Sequence, residues 1–245
     1  MDLENNTILI TGGSSGIGFE LARRLARNNK VLICGRSESK LERAEKHVRG
    51  LETFQCDLSK GADCDRLGDW IENRFPDLNI LVNNAALVHT DSFLEGTDLM
   101  DKAILEFNTN TLAPIRLAHK LLPLLLKNSD PGIINVTTGL AYTPRAAYPF
   151  YNATKAALHS FTQVLRYQLR HNDIKVIEAV FPAVDTPWHK GNAPKIAIPA
   201  GKAVDEMIHG IRRDKDEIRI GKVKLIYLIS RMAPKFAFKK INSLN

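Results

Sequence analysis

Cysteine is scarce in this 245-residue chain, with only Cys34, Cys56 and Cys64, and no two of them form a Cys-x-x-Cys pair. An odd number without that spacing excludes a disulfide-stapled fold and supplies no zinc or redox motif, so the thiols read as reduced, intracellular residues. His47, His89, His119, His159, His171 and His209 show no ligand spacing either, and no metal site is expected. Long apolar runs are missing: stretches such as Leu121 to Leu126 and Leu225 to Ile229 fall far short of the ~18 residues needed to span a bilayer. Met1-Asp2-Leu3-Glu4 has no basic stretch leading into an apolar core, so no secretory signal is expected and the chain reads as soluble and cytoplasmic. An excess of one charge is missing from most of the molecule. The net charge of +7 resides from Ile211 onward, where ten Lys or Arg face Asp214, Asp216 and Glu217, and the preceding residues balance. A basic face or reading motif for nucleic acid is therefore absent, and no nucleic-acid partner is expected.

What the chain does have is alternation. Thr7 to Ile10 is a short apolar run, followed by Thr11-Gly12-Gly13-Ser14-Ser15-Gly16-Ile17-Gly18, then by Phe19, Leu21, Ala22, Leu25 and Ala26 at helical spacing. Strands at Val31 to Cys34, Thr53 to Cys56 and Ile80 to Val82 alternate with helices at Ser37 to Val48 and Leu67 to Phe75. A long helical stretch from Leu99 to Leu126 precedes a strand at Ile133 to Val136, a helix from about Phe150 to Arg170 and a strand at Val176 to Val180. Short buried strands between helices predict an α/β fold: a single-domain, doubly wound parallel sheet over residues 1–245 with helices on both faces. Pro182 to Pro199 lacks periodicity and reads as a mobile loop over the site, with a substrate loop placed at about 183–205.

In such sheets a dinucleotide pyrophosphate meets a helix N-terminus at the first strand-to-helix turn, where Gly12, Gly16 and Gly18 fall. The second strand ends Cys34-Gly35-Arg36-Ser37, without the carboxylate that a free ribose 2′-hydroxyl would call for. Arg36 and Ser37 suit a 2′-phosphate instead, which favours NADP(H) over NAD(H). Tyr151 and Lys155, four apart, share one helix face. A nearby ammonium lowers a phenol's pKa, so this pair is expected to exchange a proton with a carbonyl or alcohol oxygen.

Together, Thr11-Gly12-x-x-x-Gly16-x-Gly18, Asn83-Asn84-Ala85, Asn110, a hydroxyl thirteen residues before the tyrosine, Tyr151-x-x-x-Lys155, and Pro182 with Thr186 closely resemble the short-chain dehydrogenase/reductase family. The resemblance runs from about Thr7 to Thr186 and implies a Rossmann fold that binds NAD(P). It implies that Asp57 holds the adenine amino group, that Asn84 and Ala85 line the adenosine side, and that Lys155 also binds the nicotinamide ribose. It further implies that Asn110 positions a water in the proton relay and that Thr186 touches the carboxamide end. Ser14, Ser15, Ile17, Leu58, Pro182 and Val184 complete the implied cofactor-binding set. Thr138 stands where the family has a serine that orients the substrate oxygen, with Thr137 as its structural neighbour, and Ala86 stands where a glycine is usual. Asn108 to Leu117 and Arg145 to Tyr151 are similar to the bacterial DltE-like oxidoreductases.

Tyr142 and Tyr148 lack a lysine four residues on and are expected to line the substrate opening; Trp188 and His189 are candidate substrate contacts. The basic segment at 221–245 reads first as a terminal helix packed on the body or on a partner subunit, with an anionic membrane surface or an acidic substrate as alternatives. The resemblance implies an NADP(H)-dependent oxidoreductase acting on a small carbonyl or alcohol, assembled as a homodimer or homotetramer through the two long helices. The alternative is an NADP(H)-binding sensor or scaffold without turnover.

Overall fold

The computed structural model describes residues 1–189 and 191–243. Its core is a seven-stranded, all-parallel sheet in the order β3-β2-β1-β4-β5-β6-β9. The strands are β1 (Thr7–Thr11), β2 (Lys30–Gly35), β3 (Leu51–Gln55), β4 (Ile80–Asn83), β5 (Gly132–Thr138), β6 (Lys175–Phe181) and β9 (Glu217–Arg219). Side chains alternate across a strand, so Ile8 and Ile10 face one layer and Leu9 the other. The first layer packs Ile8, Ile10, Val31 and Ile33 against α1 (Gly16–Leu25), α2 (Glu38–His47) and α7 (Ala200–Arg212). The second packs Leu9, Leu32, Leu81 and Ile133 against α3 (Gly61–Arg74) and α5 (Ala113–Leu125). Burial on both faces is why these strands read as apolar runs without a polar alternate.

Most predicted elements lie within two residues of the observed ones, and the differences have causes. The helix α3 begins six residues before Leu67, because Gly61-Ala62-Asp63 in its first turn offers no large apolar side chain and the buried face starts only at Cys64. The stretch Leu99 to Leu126 is not one regular helix: α4 (Leu99–Phe107) passes through a π-helical turn at Asn108–Leu112 into α5. Pro114 has no N–H, so the carbonyl of Asn110 loses its ordinary donor four residues on. Asn110 and Thr111 turn their side chains to hydrogen bonds outside the helix, and the ladder re-registers around them.

Inside the predicted loop, β7 (Val184–Asp185) pairs with β8 (Ile198–Pro199), and α7 starts at Ala200, within the span assigned to a substrate loop at 183–205. The loop therefore ends at Pro199. Beyond β9 come α8 (Val223–Met232) and α9 (Pro234–Asn242).

The helix α6 (Pro149–Gln168) is tied to the sheet by a buried polar chain. Asn83 Nδ2 donates to Asn135 Oδ1 at 2.9 Å, Asn135 Nδ2 donates to Thr162 Oγ1 at 2.9 Å, and Thr162 donates to the Leu158 carbonyl. Such a chain fixes the register of α6 over β4 and β5 more sharply than apolar packing alone, although Asn83 Oδ1 has no hydrogen-bond partner among the described residues.

Candidate active site

The strands β1 and β4 are neighbours, but their successors run to opposite sides of the sheet, and this reversal opens a crevice at the carboxyl ends. On its floor, the Thr11 hydroxyl accepts hydrogen bonds from the backbone N–H of Asn84 at 2.9 Å and Ala85 at 3.0 Å, while Asn84 Nδ2 donates to the Thr11 carbonyl at 2.9 Å. The Asn83-Asn84-Ala85 turn is thereby locked against the glycine turn. Gly12 has φ +66° and lies so close that an added Cβ would stand 2.9 Å from Ala85 Cα; a Cβ on Gly18 would stand 2.5 Å from the Gly12 carbonyl. A Cβ on Gly16 would instead project into the gap toward Thr186, stopping 3.5 Å short.

The N-terminus of α1 has no acidic residue in its first turn and no side-chain cap from Ser15. Its free N–H groups and positive dipole end suit an anion, so these residues fit a pyrophosphate. The exposed Arg36 guanidinium has no carboxylate partner among the described residues, and Ser37 Oγ lies 3.1 Å from Ser39 Oγ. Asp57 is oriented by the Ser59 backbone N–H and hydroxyl, both donating to Oδ1, and Leu58 is buried beside it.

Thr138 ends β5, buried, and its oxygen accepts from the Leu140 N–H at 3.4 Å, which leaves its own O–H free to donate. Thr137 points elsewhere, donating to Glu178 in β6. Lys155 is 2% exposed and its ammonium donates to the Val136 carbonyl at 2.8 Å, with no ion-pair partner among the described residues. Asn110 clasps Leu87 from both sides: Oδ1 accepts from its N–H and Nδ2 donates to its carbonyl, each at 2.7 Å. Nδ2 also donates to Thr154 Oγ1 at 3.1 Å, joining the π-helical turn to α6.

The expected depression of the Tyr151 phenol is not observed. Burial pushes it above its ordinary value, with Glu106 and Tyr148 adding to the rise.

A family model described as short chain dehydrogenase matches residues 6–196. The chain is 39% identical over 249 residues to the uncharacterized oxidoreductase DltE of Bacillus subtilis (strain 168), with 99% of each chain covered. The chain belongs to the short-chain dehydrogenase family.

Two solved members share this fold at modest identity. A short-chain dehydrogenase from Sphingobium yanoikuyae in complex with NADPH is 25% identical, with TM-score 0.79, 87% of this chain and 86% of that one covered. A 3-ketoacyl-(acyl-carrier-protein) reductase from Brucella melitensis complexed with NADH is 26% identical, with TM-score 0.78, 85% and 91% covered. This short-chain dehydrogenase is an NAD(P)-dependent oxidoreductase of the DltE-like type.

The structure also adds residues that the sequence reading passed over. Glu106 of α4 is fully buried; its Oε1 accepts from the His89 backbone N–H at 2.6 Å and lies 2.9 Å from His89 Nδ1, while Oε2 has no partner among the described residues. Its signal was the spacing of four between Glu106 and Asn110, which places both on one helix face. On the rim, Tyr148 packs edge-on between Tyr151 at 6.4 Å and Trp188 at 6.0 Å between centroids, with His189 against Trp188. Tyr142 does not share that opening. Its hydroxyl donates to Glu217 and its ring packs on Tyr227, because α8 lies against this side of the sheet.

Burial lowers the Lys155 pKa from 10.5 to about 8, with Glu178 opposing the shift. The unfolded chain then holds one more proton than the native state between about 8 and 10.5, so this group makes stability rise with pH across that window. Urea unfolding of the ligand-free protein should show the difference between wild type and Lys155→Met constant below about pH 8, and moving in favour of wild type up to pH 10.5. A difference that stays flat through that window would show the ammonium to be solvated as in the unfolded chain.

Proposed function

We propose that this chain is an NADP(H)-dependent oxidoreductase that interconverts a carbonyl and an alcohol carbon, with Tyr151 as the proton-transferring residue. The observation that carries the reading is Lys155: an ammonium desolvated without a carboxylate partner costs stability, and such a cost is characteristic of functional sites. The nicotinamide cofactor supplies or accepts the hydride when bound.

The chain's own part is to hold the cofactor, orient the substrate oxygen and move its proton. The glycine turn with Ser14, Ser15 and Ile17 takes the pyrophosphate, Arg36 and Ser37 the 2′-phosphate, and Asp57, Leu58, Asn84 and Ala85 the adenosine side. Pro182, Val184 and Thr186 border the other end. The Thr138 O–H donates to the substrate oxygen, and the Tyr151 O–H delivers the proton as that oxygen gains charge. A phenol whose pKa is raised rests protonated, the state that donates to a carbonyl. As phenolate character develops, the Lys155 ammonium stabilises it by its charge. Asn110 is a positioning residue, since its side chain is spent on Leu87 and Thr154. The aromatic rim of Tyr148 and Trp188 suits a substrate with an apolar portion.

Three buried free thiols fit a reducing, cytoplasmic setting. The helices α4 and α6, packed together, leave Met100, Ile104, Val164 and Tyr167 exposed, which supports a homodimer or homotetramer formed through these faces.

Fluorescence titration with NADPH and NADH, followed by turnover on a panel of aldehydes, ketones and alcohols, tests the reading. Tyr151→Phe should bind NADPH as wild type does while turnover falls by roughly 10²–10⁴-fold; undiminished turnover would remove Tyr151 from the chemistry, and tight binding without wild-type turnover would favour a sensor. Arg36→Asp should raise the KM for NADPH far more than for NADH, and an equal effect on both would sink the 2′-phosphate assignment. For the assembly, light scattering on Ile104→Glu with Val164→Glu should report a smaller particle, and an unchanged mass would exclude these faces.

A further inference from the structure

The residues after β9 lie beyond the span 6–196 that the family model matches, and none of the site chemistry uses them. Their inner side is packed on the body. A Cβ added to Gly139, next to Thr138, would touch Val223 and Ile226 of α8 at 3.6 and 3.7 Å, Tyr227 packs on Tyr142, and Asn242 of α9 bonds to the backbone of Pro144 and Ala146. The outer side is apolar where water should be. Leu225, Leu228 and Met232, spaced three and four apart, form one stripe on α8 opposite Val223 and are 55%, 55% and 84% exposed. Phe236 and Phe238 are exposed on α9.

Cations surround this apolar surface. Lys222, Lys224 and Arg231 flank the α8 stripe, and Lys235, Lys239 and Lys240 lie on α9 beside the phenylalanines. None makes an ion pair among the described residues, and no Asp or Glu occurs after Glu217. That charge selects the occupant. A second copy docked through the same face would bring six cations against six, which is repulsive. An apolar stripe bordered by lysine and arginine has the geometry of a helix lying in a lipid interface, with its apolar side chains among acyl chains and its cations at anionic headgroups. A cavity of about 410 Å³ opens between α9 and the turn at Thr143, lined also by Lys235.

We propose that the α8–α9 pair docks this enzyme on the surface of an anionic phospholipid bilayer. Contact is peripheral: no helix among the described residues is long and apolar enough to cross a membrane. Because α8 rests on the residue after Thr138, docking places the catalytic edge of the sheet near the lipid surface, where an amphiphilic carbonyl substrate concentrates.

Flotation of the full-length chain on vesicles tests this without cofactor or substrate, so its outcome is independent of the redox assignment. The bound fraction should be at least about tenfold greater on equimolar phosphatidylglycerol and phosphatidylcholine than on phosphatidylcholine alone, and should fall as salt is raised. Lys235→Glu, Lys239→Glu and Lys240→Glu together should reduce binding to the phosphatidylcholine level. Leu225→Ser, Leu228→Ser and Met232→Ser together should weaken it on both vesicles, with circular dichroism and cooperative thermal unfolding reporting that both variants are folded. Equal flotation on the two vesicle types, none on either, or binding that both variants retain would overturn the proposal. So would a serine variant that changes only the mass of the particle in solution, which would assign the face to a second copy.

Discussion

The constraint on which the site depends is the burial of one ammonium group. Lys155 lies within the core side of α6, held among the described residues by the Val136 carbonyl, at a position where leucine would pack at no electrostatic cost. Keeping a cation there requires α6 to be fixed against β5, and the polar chain from Asn83 through Asn135 to Thr162 does so one and two turns further along the same helix. His159, a turn after Lys155, is held by Glu178, which also receives the Thr137 hydroxyl. The charge of Glu178 favours the ammonium and partly offsets its desolvation.

The same economy of buried polar groups shapes the rest of the crevice. Thr11 pins the Asn84 turn, Asn110 pins the loop after β4 at Leu87, and the π-helical turn exists because Pro114 and these side-chain bonds prevent an uninterrupted helix. None of these residues has to meet substrate. They keep the glycine turn, the Thr138 hydroxyl and the tyrosine in fixed relation, which is the condition under which one positioned proton donor accelerates a reaction.

The carboxyl edge of the sheet is also where the molecule meets its surroundings. The aromatic rim, the pair α8–α9 and the strand end at Thr138 are contiguous through the segment 139–148: Gly139 carries α8, Pro144 and Ala146 carry Asn242, and Tyr148 leans on Tyr151. A basic, apolar surface on α8 and α9 is thus coupled by direct packing to the segment that leads into Tyr151.

Much of this was legible in the amino-acid order because the signals are local. A strand buried on both faces is rich in apolar residues, the close approach at Gly12 with φ +66° calls for glycine, and Tyr151 and Lys155 share a face by helical spacing alone. Elements with a diluted or non-local signal escaped: the first turn of α3, where Gly61-Ala62-Asp63 offers no large apolar side chain, and the three-residue β9, which exists only because β6 offers it an edge. By itself the sequence determined the doubly wound fold, the glycine turn after β1 and the shared helix face of Tyr151 and Lys155. Only the tertiary structure decided where Lys155 spends its hydrogen bond, that Tyr142 serves α8 and not the opening, that Glu106 lies buried on His89, and which side of the basic tail faces solvent. Each of these depends on groups tens of residues apart meeting in a shared low-dielectric space, and no local spacing encodes that encounter.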